Sequence, residues 1–189
     1  MVSKGTTVSF TSLKMGTIED FKIIETNDKE TAKGLPEQLI DHLQEMAKDD
    51  GAYKISRLDH VLQCATRAYR DNADDEWVVA ALLHDIGDVL APFTHDQVAG
   101  EIIRPFVREE VFWVVSKHGT FQMFYNRNLA KELRNSRERY VEHPFYQSAI
   151  DFCEKWDQCS FDPDYETEEL EFFVPLVKRI FSKTPFSQV

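Results

Sequence analysis

Apolar residues recur at intervals of three or four along most of this chain, a spacing that predicts amphipathic helices. The first clear series lies on one face of a helix and consists of Leu35, Leu39, Leu43 and Met46. The sequence Asp49-Asp50-Gly51 should end this helix, because clustered aspartates and glycine favour turns. Ser56, with Asp59 three residues later, has the form of a capping box and predicts the start of a second helix.

A third helix is predicted to be buried on all sides. Asp74 or Asp75 caps its start, and the run from Trp77 to Leu83 that follows contains only apolar residues. A helix that is apolar all round lies in the centre of a protein rather than at its surface. His84 continues the run and Gly87 ends it, so a histidine is expected at the inner end of this helix.

Further helices are expected in the second half of the chain. Their predicted ranges run from Thr94 to Pro105, from Arg108 to His118 with Gly119 as the stop, from Pro144 to Cys159, and from Leu170 to Phe181. Pro175 lies inside the last range, and proline removes a backbone donor from a helix. This last helix is therefore expected to be kinked or divided into two pieces.

The first 34 residues have a less regular pattern. Thr17 and Asp20 form a possible capping box, which predicts one short helix in this segment. No long stretch of the chain alternates apolar and polar residues, and the chain has no internal repeat and no glycine- and serine-rich linker. We therefore expect an all-α protein in which residues 1–34 form a short N-terminal arm and residues 35–189 form one helical domain.

The charge balance narrows the range of partners. The chain has 33 acidic and 22 basic residues and a net charge of −11 with neutral histidines, and its basic residues form no cluster. Nucleic acids and anionic membrane surfaces bind positive surfaces, so we expect neither as a partner and expect a small-molecule substrate instead. Apolar residues make up 42% of the chain, which is enough for a packed core.

The cysteines and the N-terminal sequence bear on localisation. Cys64, Cys153 and Cys159 lack the paired spacing of a zinc site, and we interpret them as reduced thiols. The N-terminal residues contain no apolar run of the signal-peptide kind, and no segment approaches the roughly 20 apolar residues of a membrane span. We therefore expect a cytoplasmic protein.

The histidines are the residues most indicative of chemistry. Of the six, His42 on a polar helix face and His143 before a proline are interpreted as ordinary structural histidines. The other four fall within, or in the first turn of, mostly apolar helices: His60, His84, His95 and His118. Burying four imidazoles among apolar residues is costly unless each has a polar partner. One shared metal centre would provide a partner for all four. Asp85 would otherwise be an unpaired buried charge.

The order of these residues carries a family resemblance. The segment Val79-Ala80-Ala81-Leu82-Leu83-His84-Asp85-Ile86-Gly87, with His60 before it and His95, His118 and Asp157 after it, resembles the signature of the HD-domain superfamily of metal-dependent enzymes. The likeness spans residues 55–160 and is closest to the predicted HD phosphohydrolases, a branch that includes mixed-valent diiron oxygenases that cleave organophosphonates. Myo-inositol oxygenase is a more distant relative. The resemblance implies an HD-domain helical bundle.

The ligand set can be divided between two metal ions. Neighbouring residues of a helix point about 100° apart, so His84 and Asp85 cannot both chelate one ion from the same face. A bridging role for Asp85 resolves this, and makes it the central catalytic residue. His60, His84, Asp85 and Asp157 then hold one ion, while His95 and His118 hold the other. Four nitrogens with two carboxylates favour iron or manganese, and the resemblance implies two iron ions, as Fe²⁺ and Fe³⁺, with O₂ as co-substrate.

Two reactions are compatible with such a centre. The first is oxidative cleavage of a C–C or C–P bond next to a hydroxyl group by a dinuclear iron oxygenase. The resemblance favours this reaction, because the two additional histidines and the sequences Arg104-Pro105-Phe106-Val107 and Lys155-Trp156-Asp157 are similar to those of the diiron oxygenases. The alternative is hydrolysis of a phosphate ester or nucleotide by a metal-dependent phosphohydrolase. A metal-stabilised binding protein without turnover is a third possibility.

The substrate positions differ from those of the phosphonate-cleaving relatives. Where those relatives hold a histidine, a lysine and an arginine against the phosphonate, this chain has Asp88, Gln122 and Glu154. Tyr53 occupies the place of a glutamate that covers an open metal position. Acidic groups repel a dianionic phosphonate, so we expect a neutral or cationic substrate. In the alternative, these acids pair with Lys117, Lys155 or Arg127 and do not face the substrate. The cluster Phe121, Phe124 and Tyr125 either lines the pocket or packs over a helix end.

Overall fold

A computed structural model describes residues 7–187, so residues 1–6 of the predicted arm and residues 188 and 189 of the predicted domain lie outside it. The helices of this range are α1 (Ile18–Lys33), α2 (Leu35–Met46), α3 (Arg57–Arg70), α4 (Asp75–Leu83), α5 (His95–Ile103), α6 (Glu109–Gln122), α7 (Lys131–Arg134), α8 (Tyr146–Phe152) and α9 (Leu170–Phe181). Since these residues include no strand, the predicted all-α class is confirmed. None of these helices is long and apolar enough to cross a membrane.

The predicted helix starts are confirmed by their caps. Thr17 and Asp20 form a capping box at the start of α1, and Ser56 and Asp59 form another at the start of α3. Asp74, rather than its neighbour in the sequence, caps α4 by accepting two backbone N–H groups. The arm differs from the prediction in one respect: α1 is 16 residues long rather than short, since its solvent face carries ion pairs between successive turns.

The centre of the fold is α4. Every residue from Val78 to Leu83 is at most 2% exposed, as the apolar run predicted. Helices α3, α6 and α9 pack around this segment. Burying one valine or leucine side chain stabilises a fold by roughly 1.5–3 kcal/mol, so α4 is the main apolar anchor of the bundle. It also delivers His84 and Asp85 to the interior.

The predicted end of a helix at Gly119 is wrong, and of the two outcomes predicted for Pro175, a division of the helix into two pieces does not occur. Helix α6 continues through Gly119 to Gln122, because this glycine allows close packing against α5: a β-carbon there would lie 3.1 Å from an Asp96 carboxylate oxygen. Helix α9 is one element despite Pro175. Its buried face, which includes Phe173, Val177 and Ile180, holds it against the core on both sides of the proline.

The predicted helix from Pro144 to Cys159 is shorter and changes type. Helix α8 begins at Tyr146, and at Cys153 the chain widens into a π-helical turn that extends to Asp157. The backbone N–H of Gln158 donates to the carbonyl of Cys153, five residues earlier. A π turn shifts the direction of the residues that follow it, and here it places Asp157 in the interior, where it is 1% exposed.

Candidate metal centre

Six side chains from five parts of the fold meet next to the end of α4. They comprise His60 in α3, His84 and Asp85 directly after α4, His95 at the start of α5, His118 in α6 and Asp157 at the end of the π turn. These are the six residues that the sequence proposed as metal ligands. Two subsets lie close enough for a single ion: His60 with His84 and Asp157, and His84 with Asp85 and His118.

Asp85 lies between two pairs of histidines. Its Oδ2 atom is 3.3 Å from Nε2 of His60 and 3.3 Å from Nε2 of His84. Its Oδ1 atom is 3.1 Å from Nε2 of His118 and 3.3 Å from Nε2 of His95. The two oxygens of one carboxylate therefore face different ligand pairs, which is the arrangement that a bridging ligand requires.

Asp157 faces the first of these pairs. Its Oδ1 atom is 3.4 Å from Nε2 of His60 and 3.6 Å from Nε2 of His84. Both carboxylate oxygens of Asp157 are buried and accept no hydrogen bond of good geometry from residues 7–187. A buried carboxylate without donors is costly unless a cation binds it.

Backbone carbonyls set the tautomer of three of the histidines. In each, the Nδ1 atom lies at hydrogen-bond distance from a carbonyl oxygen: His60 from Ser160 at 2.8 Å, His84 from Ala81 at 2.8 Å and His118 from Val115 at 2.7 Å. Because a carbonyl only accepts, Nδ1 must donate. The neutral ring then keeps its lone pair on Nε2, which faces the cluster and is available to a metal ion.

The Nε2 atoms approach one another closely. Those of His60 and His84 are 3.2 Å apart, and those of His95 and His118 are 3.3 Å apart. Two lone pairs at this distance repel, so either a proton on one ring or a bound metal ion must lie between or beside them. The donor set of imidazole nitrogens and carboxylate oxygens suits iron, manganese or zinc and is too rich in nitrogen for Mg²⁺ or Ca²⁺. The residues therefore fit a dinuclear transition-metal centre.

The electrostatics of the cluster favour positive charge. Burial opposes protonation of His60, but the carboxylates of Asp157 and Asp85 outweigh it and raise the pKa to about 9. Burial also opposes the charged form of His84, yet Asp85 and Asp157 raise its pKa. The pKa of Asp157 is lowered: burial opposes ionisation, and the adjacent rings of His60 and His84 overcome it. The buried acids are therefore ionised and attract cations.

Aromatic rings support the ligands from one side. Phe161 stacks on His60 with 4.3 Å between ring centroids, and Tyr53 packs against Phe161 at 4.7 Å. Sequence reasoning missed Phe161, for which the only available signal was its position four residues after Asp157. The two histidines predicted to be structural lie outside the cluster: His42 contacts the Ile86 carbonyl and His143 stacks on Trp113.

A cavity of about 530 Å³ opens over the cluster. Besides Asp85 and three of the histidines, it is lined by Tyr53, Arg57, Asp88, Gly119, Gln122, Met123, Tyr125, Asn126, Gln158 and Phe161. Three of the predicted substrate residues, Tyr53, Asp88 and Gln122, are thus at the cavity. Glu154 is exposed on the outer side of the π turn and is not among the lining residues, so its position does not support a substrate contact.

The predicted aromatic cluster is divided by the structure. Phe121 is fully buried in the core, and Phe124 lies under the guanidinium of Arg137, 3.6 Å from ring centroid to Cζ. Of the three, only Tyr125 lines the cavity. The cluster therefore does not line the cavity as one surface.

Asp88 has a basic partner that the sequence pattern did not indicate. Its carboxylate forms an ion pair with Arg57, which also contacts Asp49 through Nε at 2.9 Å. The expected alternative partners of Asp88 were Lys117, Lys155 and Arg127, and none of them holds it. The two members of this group that line the cavity, Arg57 and Asp88, carry no net charge between them.

Comparison with known families agrees with this arrangement. A family model described as myo-inositol oxygenase matches residues 7–131, about two thirds of the chain. The match includes the four clustered histidines and Asp85, and it ends before Asp157. A search of curated proteins finds no match.

Proposed function

The chain belongs to the myo-inositol oxygenase family, and we propose that it is a dinuclear non-heme iron oxygenase that cleaves a carbon–carbon bond next to a hydroxyl group in a small neutral polyol. The observation that carries this proposal is the division of the Asp85 carboxylate between two histidine pairs. Many hydrolases also use two metal ions, so a dinuclear centre by itself fits both reactions. The family match is what favours an oxygenase over a hydrolase.

The ligands would be shared as follows. His60, His84 and Asp157 would hold one iron, His95 and His118 the other, and Asp85 both. When bound, the iron pair supplies the redox chemistry that activates O₂. Backbone carbonyls fix three of the four ligand rings through their Nδ1 atoms, and the cavity opens over the cluster.

The cavity wall beyond the ligands suits a neutral hydroxylated molecule. Gln122, Asn126 and Gln158 bring three uncharged amides to the wall, and an amide can donate to one hydroxyl and accept from another. The Arg57–Asp88 pair adds no net charge, so no unpaired base is present to hold a phosphonate dianion among the described lining residues. Tyr53 and Phe161 supply an apolar surface for the C–H face of a polyol.

Oxygen uptake tests the proposal. Protein loaded anaerobically with Fe²⁺ would be exposed to O₂ with polyols, hydroxylated phosphonates or hydroxylated amines in turn, and His118→Ala would serve as the control with a damaged centre. We expect substrate-dependent O₂ uptake with a polyol, incorporation of ¹⁸O from ¹⁸O₂ into a carboxylate product, and a mixed-valent iron signal by electron paramagnetic resonance after partial oxidation.

Other outcomes would point elsewhere. O₂ uptake with a hydroxylated phosphonate, together with release of a phosphorus product, would show that the cleaved bond is C–P rather than C–C. Release of phosphate from nucleotides under strictly anaerobic conditions, with no mixed-valent iron signal, would contradict an oxygenase and support a phosphohydrolase.

A further inference from the structure

His95 differs from the other three clustered histidines in what holds its ring. Its Nδ1 atom is buried and has no hydrogen bond within residues 7–187, whereas Nδ1 of each of the others meets a carbonyl oxygen within 2.8 Å. The nearest acidic atom is Oδ1 of Asp88, 3.5 Å away. We propose that Asp88 is a positioning residue for His95, and that through this ring it sets the affinity of the ion that His95 and His118 would share.

Asp88 is itself held in place from two directions. Its backbone N–H donates to the Asp85 carbonyl at 2.9 Å, so one turn carries both the bridging carboxylate and the positioning one. Its side chain pairs with Arg57, whose backbone N–H donates to the Asp49 carbonyl at 2.8 Å and whose Nε contacts the Asp49 carboxylate. The position of Asp88 is therefore determined both by its own turn and by the segment that holds Arg57.

The turn also lies tightly against the start of α5. A β-carbon at Gly87 would come within 3.0 Å of the His95 carbonyl oxygen and within 3.0 Å of Val98 Cβ. This close approach brings Asp88 to the Nδ1 side of the His95 ring. The side chains of Asp88 and Arg57 are only 16% and 21% exposed, so water competes weakly for these contacts.

Asp88 would act on the metal ion by accepting a hydrogen bond from the second ring nitrogen of His95. A ligating histidine binds better when its second ring N–H donates to a carboxylate or carbonyl, which orients the ring and increases its basicity, and loss of that partner commonly costs 10–100-fold in metal affinity. At 3.5 Å the Asp88 contact is longer than a good hydrogen bond. His95 is therefore the least firmly held of the four rings. We expect the ion that His95 and His118 would share to be bound more weakly than the other ion.

This role leaves Asp88 little freedom to bind substrate. One of its oxygens is occupied by Arg57 and the other faces His95, so it does not project an unpaired charge into the cavity. The inference rests on the proposed function, since it requires a centre with two ions. It replaces the sequence-based expectation of Asp88 as a substrate contact.

The test is an anaerobic titration with Fe²⁺ that resolves two binding steps. In the parent protein we expect two ions to bind. In Asp88→Asn we expect the affinity of the first binding step to be unchanged and that of the second to fall at least about 10-fold. At iron concentrations that fill both sites of the parent protein, this variant should lack the mixed-valent resonance signal. Asp88→Glu should recover part of the second step. The matched control is Asp96→Asn, which removes an equal charge next to His95 without touching its Nδ1 atom.

The possible results separate this inference from the proposed function. Equal second-step affinities in Asp88→Asn and the parent protein, with two ions bound in both, would overturn the positioning role and leave the oxygenase proposal intact. A parent protein that binds only one ion would overturn both. Should Asp88→Asn lose its helical circular dichroism, Arg57→Lys replaces it: a weaker second step supports the role, and an unchanged one contradicts it.

Discussion

Gly100 in α5 lies so close to Ser116 in α6 that a β-carbon at the glycine would come within 2.7 Å of the serine Cβ and 3.1 Å of its Cα. Such a contact cannot be relieved by rotating a side chain, so Gly100→Ala must push the two helices apart. These helices carry His95 and His118. We expect a loss of about 1–3 kcal/mol in the free energy of unfolding and weaker binding of the ion between them, measured by urea denaturation and metal titration.

Gly34 provides the matched control for this substitution. It joins α1 to α2 with φ −84° and ψ −2°, and a β-carbon at this position would lie no closer than 3.5 Å to its nearest neighbour. Gly34→Ala should change the free energy of unfolding by less than about 0.5 kcal/mol and leave metal binding unaltered. Similar losses in both variants would mean that the spacing of α5 and α6 does not determine stability.

Asp85 is expected to affect both metal positions. Asp85→Ala removes the carboxylate that faces both histidine pairs, so both ions should be lost. His118→Ala removes a ligand from one side and should lose mainly one ion. Metal content after equilibrium dialysis against Fe²⁺ would distinguish the two variants. His143→Ala, which changes a ring stacked on Trp113 outside the cluster, should retain both ions. Equal losses in Asp85→Ala and His118→Ala would contradict the bridge.

Local signals explain why so much of the fold was predictable from the sequence. Capping boxes and apolar periodicity depend on residues within one or two turns, and they identified the starts of α1, α3 and α4. The helix end predicted at Gly119 was wrong, and Pro175 does not divide its helix, although glycine and proline usually end helices. Here tertiary contacts decide instead: Asp96 lies over the glycine, and a buried apolar face holds the proline helix together.

The candidate ligands were predictable for a different reason than the cavity. Buried histidines in apolar helices are chemically unusual, so each could be recognised without knowing its neighbours. Cavity contacts depend on which distant segments meet. Arg57 reaches Asp88 from 31 residues earlier in the chain, and Phe161 stacks on His60 from about 100 residues later. No local pattern marks either pairing.

Asp20 is expected to make stability depend on acid pH. Its carboxylate accepts hydrogen bonds from the backbone and side chain of both Ser9 and Thr17, and the Ser9 amide contributes most to lowering its pKa from 3.8 to about 2. A carboxyl group with a lowered pKa in the folded state stabilises the fold above its unfolded pKa and loses that contribution as the pH falls. Part of the stability should therefore disappear between about pH 4 and pH 2.

Asp20→Asn tests this acid dependence. The amide cannot ionise, so the variant should be less stable than the parent protein at pH 6, and the difference should shrink as the pH approaches 2. Thermal unfolding at closely spaced pH values would measure it. A difference that stays constant from pH 6 to pH 2 would show that the ionised form of Asp20 makes no special contribution.

Gln122 is the cavity amide most available to a substrate. It is the last residue of α6, and its side chain has no hydrogen-bond partner among residues 7–187, whereas the side chains of Asn126 and Gln158 both have backbone partners. Gln122→Leu keeps the approximate size but removes both hydrogen-bonding groups. Losing about 0.5–1.5 kcal/mol of binding should raise KM for a polyol roughly 2–13-fold without changing iron content, as measured by O₂ uptake kinetics and metal analysis. Glu154→Gln, outside the cavity, should leave KM unchanged; equal effects of the two substitutions would contradict a substrate contact at Gln122.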